Sequence, residues 1–99
     1  MKIYEIQNRT PQLIEELLNV WEASVRATHL FLSDAEVKSI KEYVPQALEG
    51  VEHLIIVEAE KPVAFMGTQN GRLEMLFITP EERGKGIGKR LMQYGFQIY

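Results

Sequence analysis

Arg72-Leu73-Glu74-Met75-Leu76-Phe77-Ile78-Thr79-Pro80-Glu81-Glu82-Arg83-Gly84-Lys85-Gly86-Ile87-Gly88-Lys89-Arg90-Leu91 is the stretch on which the fold turns. Its first seven residues follow Asn70-Gly71, the dipeptide that best fits a type I′ hairpin turn, and so read as a strand pairing back on the one before it. Thr79-Pro80 breaks that strand. A helix is predicted from about Gly86 to the end of the chain, with Leu91, Tyr94, Gly95 and Ile98 as its inner face at helical spacing. A strand followed by a glycine-led helix forms the first two thirds of a crossover connection, whose return strand does not follow before Tyr99.

Working back toward the N-terminus, Val63 to Gln69 reads as a strand and Glu60-Lys61-Pro62 as a turn. Val51 to Ala59 is a further strand, its Leu54-Ile55-Ile56-Val57 centre apolar enough to be buried on both faces. Ser33-Asp34-Ala35-Glu36 has the form of a capping box, with Leu32 and Val37 placed for a hydrophobic staple. The helix it starts is predicted from Asp34 to about Tyr43, with one more turn to Leu48 around Pro45. Thr10-Pro11 opens an amphipathic helix over 11–26 carrying Leu13, Ile14, Leu17, Leu18, Trp21 and Val25, with Glu15 and Glu16 in its first turns. Lys2 to Gln7 reads as the first strand. The order β-α-α-β-β-β-α predicts an α/β (α+β) fold, an antiparallel sheet with helices packed on it, in one domain over 1–99.

Composition sets the outer limits. Ninety-nine residues suffice for one modest core. There is no cysteine, which excludes disulfides and thiolate-ligated metals, and no metal is expected. With 11 basic and 14 acidic residues the net charge is −3, which does not favour nucleic acid or anionic membrane as partner. No apolar run approaches a membrane span, and the N-terminus lacks a signal-peptide core, so a cytoplasmic setting is expected.

Three glycines in five residues, Gly84, Gly86 and Gly88, coincide with Arg83, Lys85, Lys89 and Arg90. Glycine lets backbone amides approach a ligand without a Cβ in the way, and a helix N-terminus adds free N–H donors and a positive dipole end. The local chemistry is that of a pyrophosphate site. It is not a P-loop, since no Lys-Ser or Lys-Thr follows at the required spacing. Nor is it the dinucleotide fingerprint, because Lys89 stands where the third glycine would be. Arg83-Gly84-Lys85-Gly86-Ile87-Gly88 does match Arg/Gln-x-x-Gly-x-Gly/Ala. With the strand ending Leu-Phe-Ile-Thr-Pro before it and Lys-Arg-Leu-Met after it, the segment closely resembles the Gcn5-related N-acetyltransferase (GNAT) family. Trp21 to Leu32, with its Ala-Thr-His-Leu-Phe-Leu segment, resembles a bacterial subgroup of small acetyltransferases.

The resemblance implies an acetyl-CoA-dependent N-acetyltransferase acting on a primary amine, of a small molecule or a peptide, by direct attack on the thioester. Leu76, Phe77 and Ile78 would pair with the pantetheine arm, an amide near Leu76 would polarise the acetyl carbonyl, and Arg83, Gly84, Lys85, Gly86, Ile87, Gly88 and Lys89 would hold the pyrophosphate. Family members continue with another strand, helix and further strands, about 45 residues by typical element lengths. The chain thus reads as the N-terminal two thirds of the acyl-CoA N-acyltransferase fold, and the tyrosine that commonly protonates the leaving thiolate is assigned to no residue here.

Two catalytic candidates lie outside the loop. Glu74, two residues before Leu76, could serve as general base or bind the substrate's cation, or be an ordinary solvent-facing strand residue. His29, in the connector between the first two helices, could relay a proton or simply sit at the surface. His53 reads as structural, Trp21 as core, and Met66, Met75 and Met92 as core fillers. The competing readings are a shortened, non-catalytic CoA-binding module and an interaction protein whose open edge, Arg72–Ile78, would support a homodimer.

Overall fold

The computed structural model describes residues 1–28 and 31–98. In chain order it contains β1 (Lys2–Glu5), α1 (Pro11–Thr28), α2 (Asp34–Lys41), α3 (Val44–Gly50), β2 (His53–Glu58), β3 (Pro62–Gln69), β4 (Arg72–Ile78), a 3₁₀ turn (Pro80–Glu82) and α4 (Ile87–Ile98). The strands form one sheet in the order β1-β2-β3-β4, and every neighbouring pair is antiparallel. This is the α+β architecture the sequence predicts.

Local chemistry explains most element boundaries. Thr10 Oγ1 accepts the Leu13 amide at 3.2 Å and caps α1, whose first residue is Pro11. Glu15 and Glu16 fall in the second turn, and the first turn carries no acid. The capping box forms in full: Ser33 Oγ accepts from the Glu36 amide at 3.1 Å, and Glu36 Oε1 accepts from the Ser33 amide at 3.0 Å. Hydrogen bonds to its carboxyl from the Ser33 amide, then from the Ser33 side chain, hold Glu36 below its ordinary range. The expected single helix after Ser33 is instead two. α2 stops at Lys41, and Pro45 lies in the first turn of α3, where a missing N–H costs nothing. Asn70 and Gly71 both adopt positive φ, 54° and 75°, which is what a type I′ turn requires.

Leu54, Ile55, Ile56 and Val57 are fully buried and supply alternate faces of the sheet. Leu54 and Ile56 join Phe65 under Ile14, Leu17, Val20 and Trp21 of α1. Ile55 and Val57 join Ala64 and Met66 beneath Ile87 and Leu91 of α4. At roughly 1.5–3 kcal/mol per fully buried aliphatic side chain, the β2 centre contributes several kcal/mol of the burial energy that offsets the chain's ordering entropy. Gly95 lets α4 come down on this face, since a Cβ there would lie 2.0 Å from Met66 Cε and 3.2 Å from Ile55 Cδ1.

α1 and α2 are joined across their exposed sides. Glu22 accepts from Arg26 Nε at 2.8 Å and Lys41 Nζ at 2.6 Å, while Asp34 pairs with Arg26 at 2.7 Å and Lys38 at 3.0 Å. The hydrogen bond from Lys41, then that from Arg26, holds the Glu22 carboxyl below its ordinary range.

Two irregularities matter for the site. β4 is an outer strand whose neighbour in the sheet is β3. The β3–β4 register also slips: Gly67 faces Met75 but Thr68 faces Leu73, so Glu74 is the extra residue of a β-bulge.

Candidate functional site

The loop from Arg83 to Lys89 leads off the C-terminal end of β4 and opens α4. Gly84 and Gly86 take φ of 79° and 76°, left-handed values that explain two of its three glycines. Gly88 serves another purpose. A Cβ there would stand 3.3 Å from Ile78 Cδ1, so its absence lets the first turn of α4 sit against β4. Ile87 is buried in the α4-side core and pins the loop from beneath.

The result is a row of backbone donors. Around them, the amides of Glu82 and Arg83 close the 3₁₀ turn onto Thr79 and Pro80, and the Arg90 amide reaches back to the Gly86 carbonyl at 3.1 Å. Between these, Ile87, Gly88 and Lys89 form the first turn of α4, whose N–H groups have no intrahelical acceptor. Exposed Lys89 and Arg90 flank them. The arrangement suits a pyrophosphate on backbone amides and helix dipole.

Two of the expected cations are engaged elsewhere. The Arg83 guanidinium turns inward, donating to Ser24 Oγ at 2.9 Å and to the Ser24 carbonyl at 3.2 Å. It ties the loop to α1. Lys85 Nζ pairs with Glu82 Oε2 at 3.1 Å, on an exposed surface where such pairs contribute little. Ser24 was missed by sequence reasoning. A small polar residue inside the apolar stripe of α1, three positions after Trp21, is the signal that could have found it.

Leu76, Phe77 and Ile78 sit on the outer strand just before the loop, half-buried. Leu76 and Ile78 pack on the α4 side and Phe77 on the α1 side, its ring 5.6 Å from that of Phe65. Their side chains are thus held by both cores while the backbone lies at the sheet edge.

Glu74 stands at the bulge, exposed, and lines a pocket of about 360 Å³ with Ala47, Gly50, Val51, Gln69 and Met75. One carboxylate and one amide among apolar walls suit a cation carried on an aliphatic stem. A larger cavity of about 610 Å³ lies between α1, the β2–β3 turn and the 3₁₀ turn, but Glu16, Glu81 and Glu82 outnumber Lys61 in its lining, a poor setting for a phosphate, and the glycines do not line it. His29 lies outside the described residues. His53 is structural, as expected: its Nδ1 is 2.9 Å from Glu5 Oε2, joining β1 to β2. Trp21 is buried in the α1 core. Among the described residues no cluster of three or more metal-ligating side chains forms, and no helix is long and apolar enough to cross a membrane.

Comparison with known proteins places this fold in a family. A family model described as an acetyltransferase (GNAT) domain matches residues 14–96. The peptidyl-lysine N-acetyltransferase YjaB of Salmonella typhimurium is 36% identical over 85 residues, covering 85% of this chain and 59% of that protein. The solution structure of apo YjaB from Escherichia coli superposes with a TM-score of 0.81 at 32% identity, over 99% of this chain and 67% of that one. The PaiA N-acetyltransferase of Thermoplasma acidophilum, solved with coenzyme A, shares the fold with a TM-score of 0.75 at 20% identity, over 99% and 72%. The chain therefore spans about three fifths of the length of the curated relatives it matches. A glycine loop opening a helix beside an outer strand, a bulge on that strand and a family match across most of the sequence lead to one conclusion: the chain belongs to the GNAT acetyltransferase family.

Proposed function

We propose that the chain binds acetyl-CoA along β4 and the 83–89 loop and transfers its acetyl group to a primary amine, with a lysine side chain as the acceptor class. The observation that carries this reading is the first turn of α4, whose amides helix geometry leaves without intrahelical acceptors, adjoining the outer strand β4. The coenzyme A held by a fold neighbour and the peptidyl-lysine activity named for the YjaB relatives support it.

In this reading the pyrophosphate lies on the amides of Gly84 to Lys89. The pantetheine arm runs beside the backbone of Leu76 to Ile78 as an added strand. Glu74, beside the pocket, takes the proton that a lysine ammonium must lose before it can attack. The amine nitrogen then bonds to the thioester carbonyl carbon while an amide near Leu76 stabilises the developing oxyanion. The C–S bond breaks, and the CoA thiolate leaves to take a proton from solvent. No metal takes part, and the setting is cytoplasmic.

The test is thermal shift with CoA, acetyl-CoA, ATP and NAD, followed by thiol release with a lysine peptide. Stabilisation by CoA species alone, and thiol release only with the amine, are expected. A folded chain indifferent to millimolar CoA would overturn the assignment. The outer position of β4 favours a second reading, a homodimer through Arg72–Ile78 with or without catalysis. Solution mass decides it, since a strict monomer excludes that interface.

A further inference from the structure

We infer that Arg9 is a positioning residue for the acceptor pocket, fixing the wall against which the lysine stem lies; this rests on the acetyltransferase reading above. Arg9 sits between β1 and α1, far in sequence from both the glycine loop and Glu74. Its guanidinium donates from Nη1 to the carbonyls of Leu48 at 2.9 Å, Glu49 at 3.1 Å and Val51 at 2.6 Å, and from Nη2 to that of Glu52 at 3.3 Å. These carbonyls belong to the end of α3 and the link into β2, where helix geometry leaves acceptors without intrahelical partners. A cation also complements the negative end of the helix.

The pocket wall is built from the same backbone. Ala47, Gly50 and Val51 line one side, and Gln69, Glu74 and Met75 line the rest. Val51 is the hinge between the two sets. A Cβ on Gly67 would lie 3.1 Å from Val51 Cγ2 and 2.7 Å from Met75 Cγ, so both side chains pack onto the bare Gly67 backbone. Met75 is next to Glu74 at the bulge, and Gly67 pairs with it across β3 and β4. Arg9 therefore fixes the Val51 carbonyl, Val51 packs toward Met75, and Met75 adjoins the carboxylate that receives the cation. A planar fork that reaches four carbonyls cannot be replaced by the single ammonium of lysine.

The experiment titrates the 99-residue chain with Nα-acetyl-lysine methylamide by amide NMR, comparing wild type with Arg9→Lys and Arg9→Gln. Acetyl-CoA binding is measured on the same samples by calorimetry. In wild type the probe should shift the amides of Gly50, Val51, Gln69 and Met75. Both variants should bind it roughly tenfold more weakly, with acetyl-CoA affinity unchanged. In turnover, KM for the amine should rise with little change in KM for acetyl-CoA. Gly95→Val, which loosens the fold from the opposite face of the sheet, should leave probe affinity unchanged. A purely structural Arg9 would make all three variants alike. Equal probe affinity in wild type and the Arg9 variants, or no probe shifts at the pocket in wild type, overturns the inference. Acetyl-CoA failing to bind a chain in which the probe result holds would instead overturn the acetyl-CoA reading and leave the pocket standing.

Discussion

The glycine loop and the pocket beside Glu74 lie on either side of the same three residues of β4, yet they are built in opposite ways. The loop is continuous in sequence: Gly84, Gly86 and Gly88 supply its turns and its close approach to Ile78 within five positions. The pocket is assembled from the end of α3, the end of β3 and the β4 bulge. A site made of consecutive backbone depends on local conformation. A site made of three elements depends on whatever holds them in register. Substitutions should therefore act sharply and locally in the loop, and around the pocket through contacts distant in sequence.

Glu74→Gln should have the largest effect. If its carboxylate is the base, kcat/KM with a lysine peptide falls by roughly 10²–10⁴ with acetyl-CoA affinity intact, as steady-state thiol release would record. A loss below tenfold would reduce the bulge to a structural feature. Gly86→Glu comes next. It places a negative charge at a helix N-terminus, at a backbone φ of 76°. The new carboxylate competes with the pyrophosphate for the helix N-terminus and repels it, so CoA affinity should drop by about thirtyfold, equivalent to about 2 kcal/mol, with far-ultraviolet circular dichroism unchanged. Calorimetry that finds wild-type affinity would break the loop's side of the comparison.

Ser24→Ala probes where the loop ceases to be local. It removes the Oγ acceptor 2.9 Å from Arg83 and should lower stability by about 1–2 kcal/mol. CoA affinity should fall several-fold with it, whereas acceptor binding is unaffected. Glu22→Gln is the smallest change. Glu22's folded-state pKa is depressed by Lys41 and Arg26, so its contribution is present above the unfolded pKa and lost as pH falls through the folded one. The variant should cost about 0.5 kcal/mol near pH 7 and progressively less as pH falls through the folded-state pKa, and neither site should respond. A pH-independent cost measured by thermal denaturation would contradict the ion-pair account.

Legibility followed the same division. Asn70-Gly71, the capping box, Thr10-Pro11 and the Leu54–Val57 run were readable because each acts over a few residues through rules of dihedral angle, capping or periodicity. The glycine loop was readable for the same reason. The division of the second helix into α2 and α3 was not. Pro45 permits either a helix end or a helix start, and the break came two residues earlier than a proline rule places it. The inward turn of Arg83 was also hidden, because whether a loop arginine reaches for a ligand or a helix depends on what stands beside it in space.

By itself the sequence determined the strand and helix types, the antiparallel hairpin of β3 and β4 and the glycine-led start of α4, and its motif carried the family resemblance. The structural features rest on interactions between residues close in the chain. Only the tertiary structure decided that Arg83 anchors to Ser24, that the register slips at Glu74, and that Arg9 grips the carbonyls bordering Val51. The Arg83 and Arg9 contacts join segments 39 to 59 residues apart, and the slip between β3 and β4 depends on how that hairpin packs against the rest of the sheet. Sequence pattern fixes which residues face the core, but packing selects which distant donor meets which acceptor once they are there.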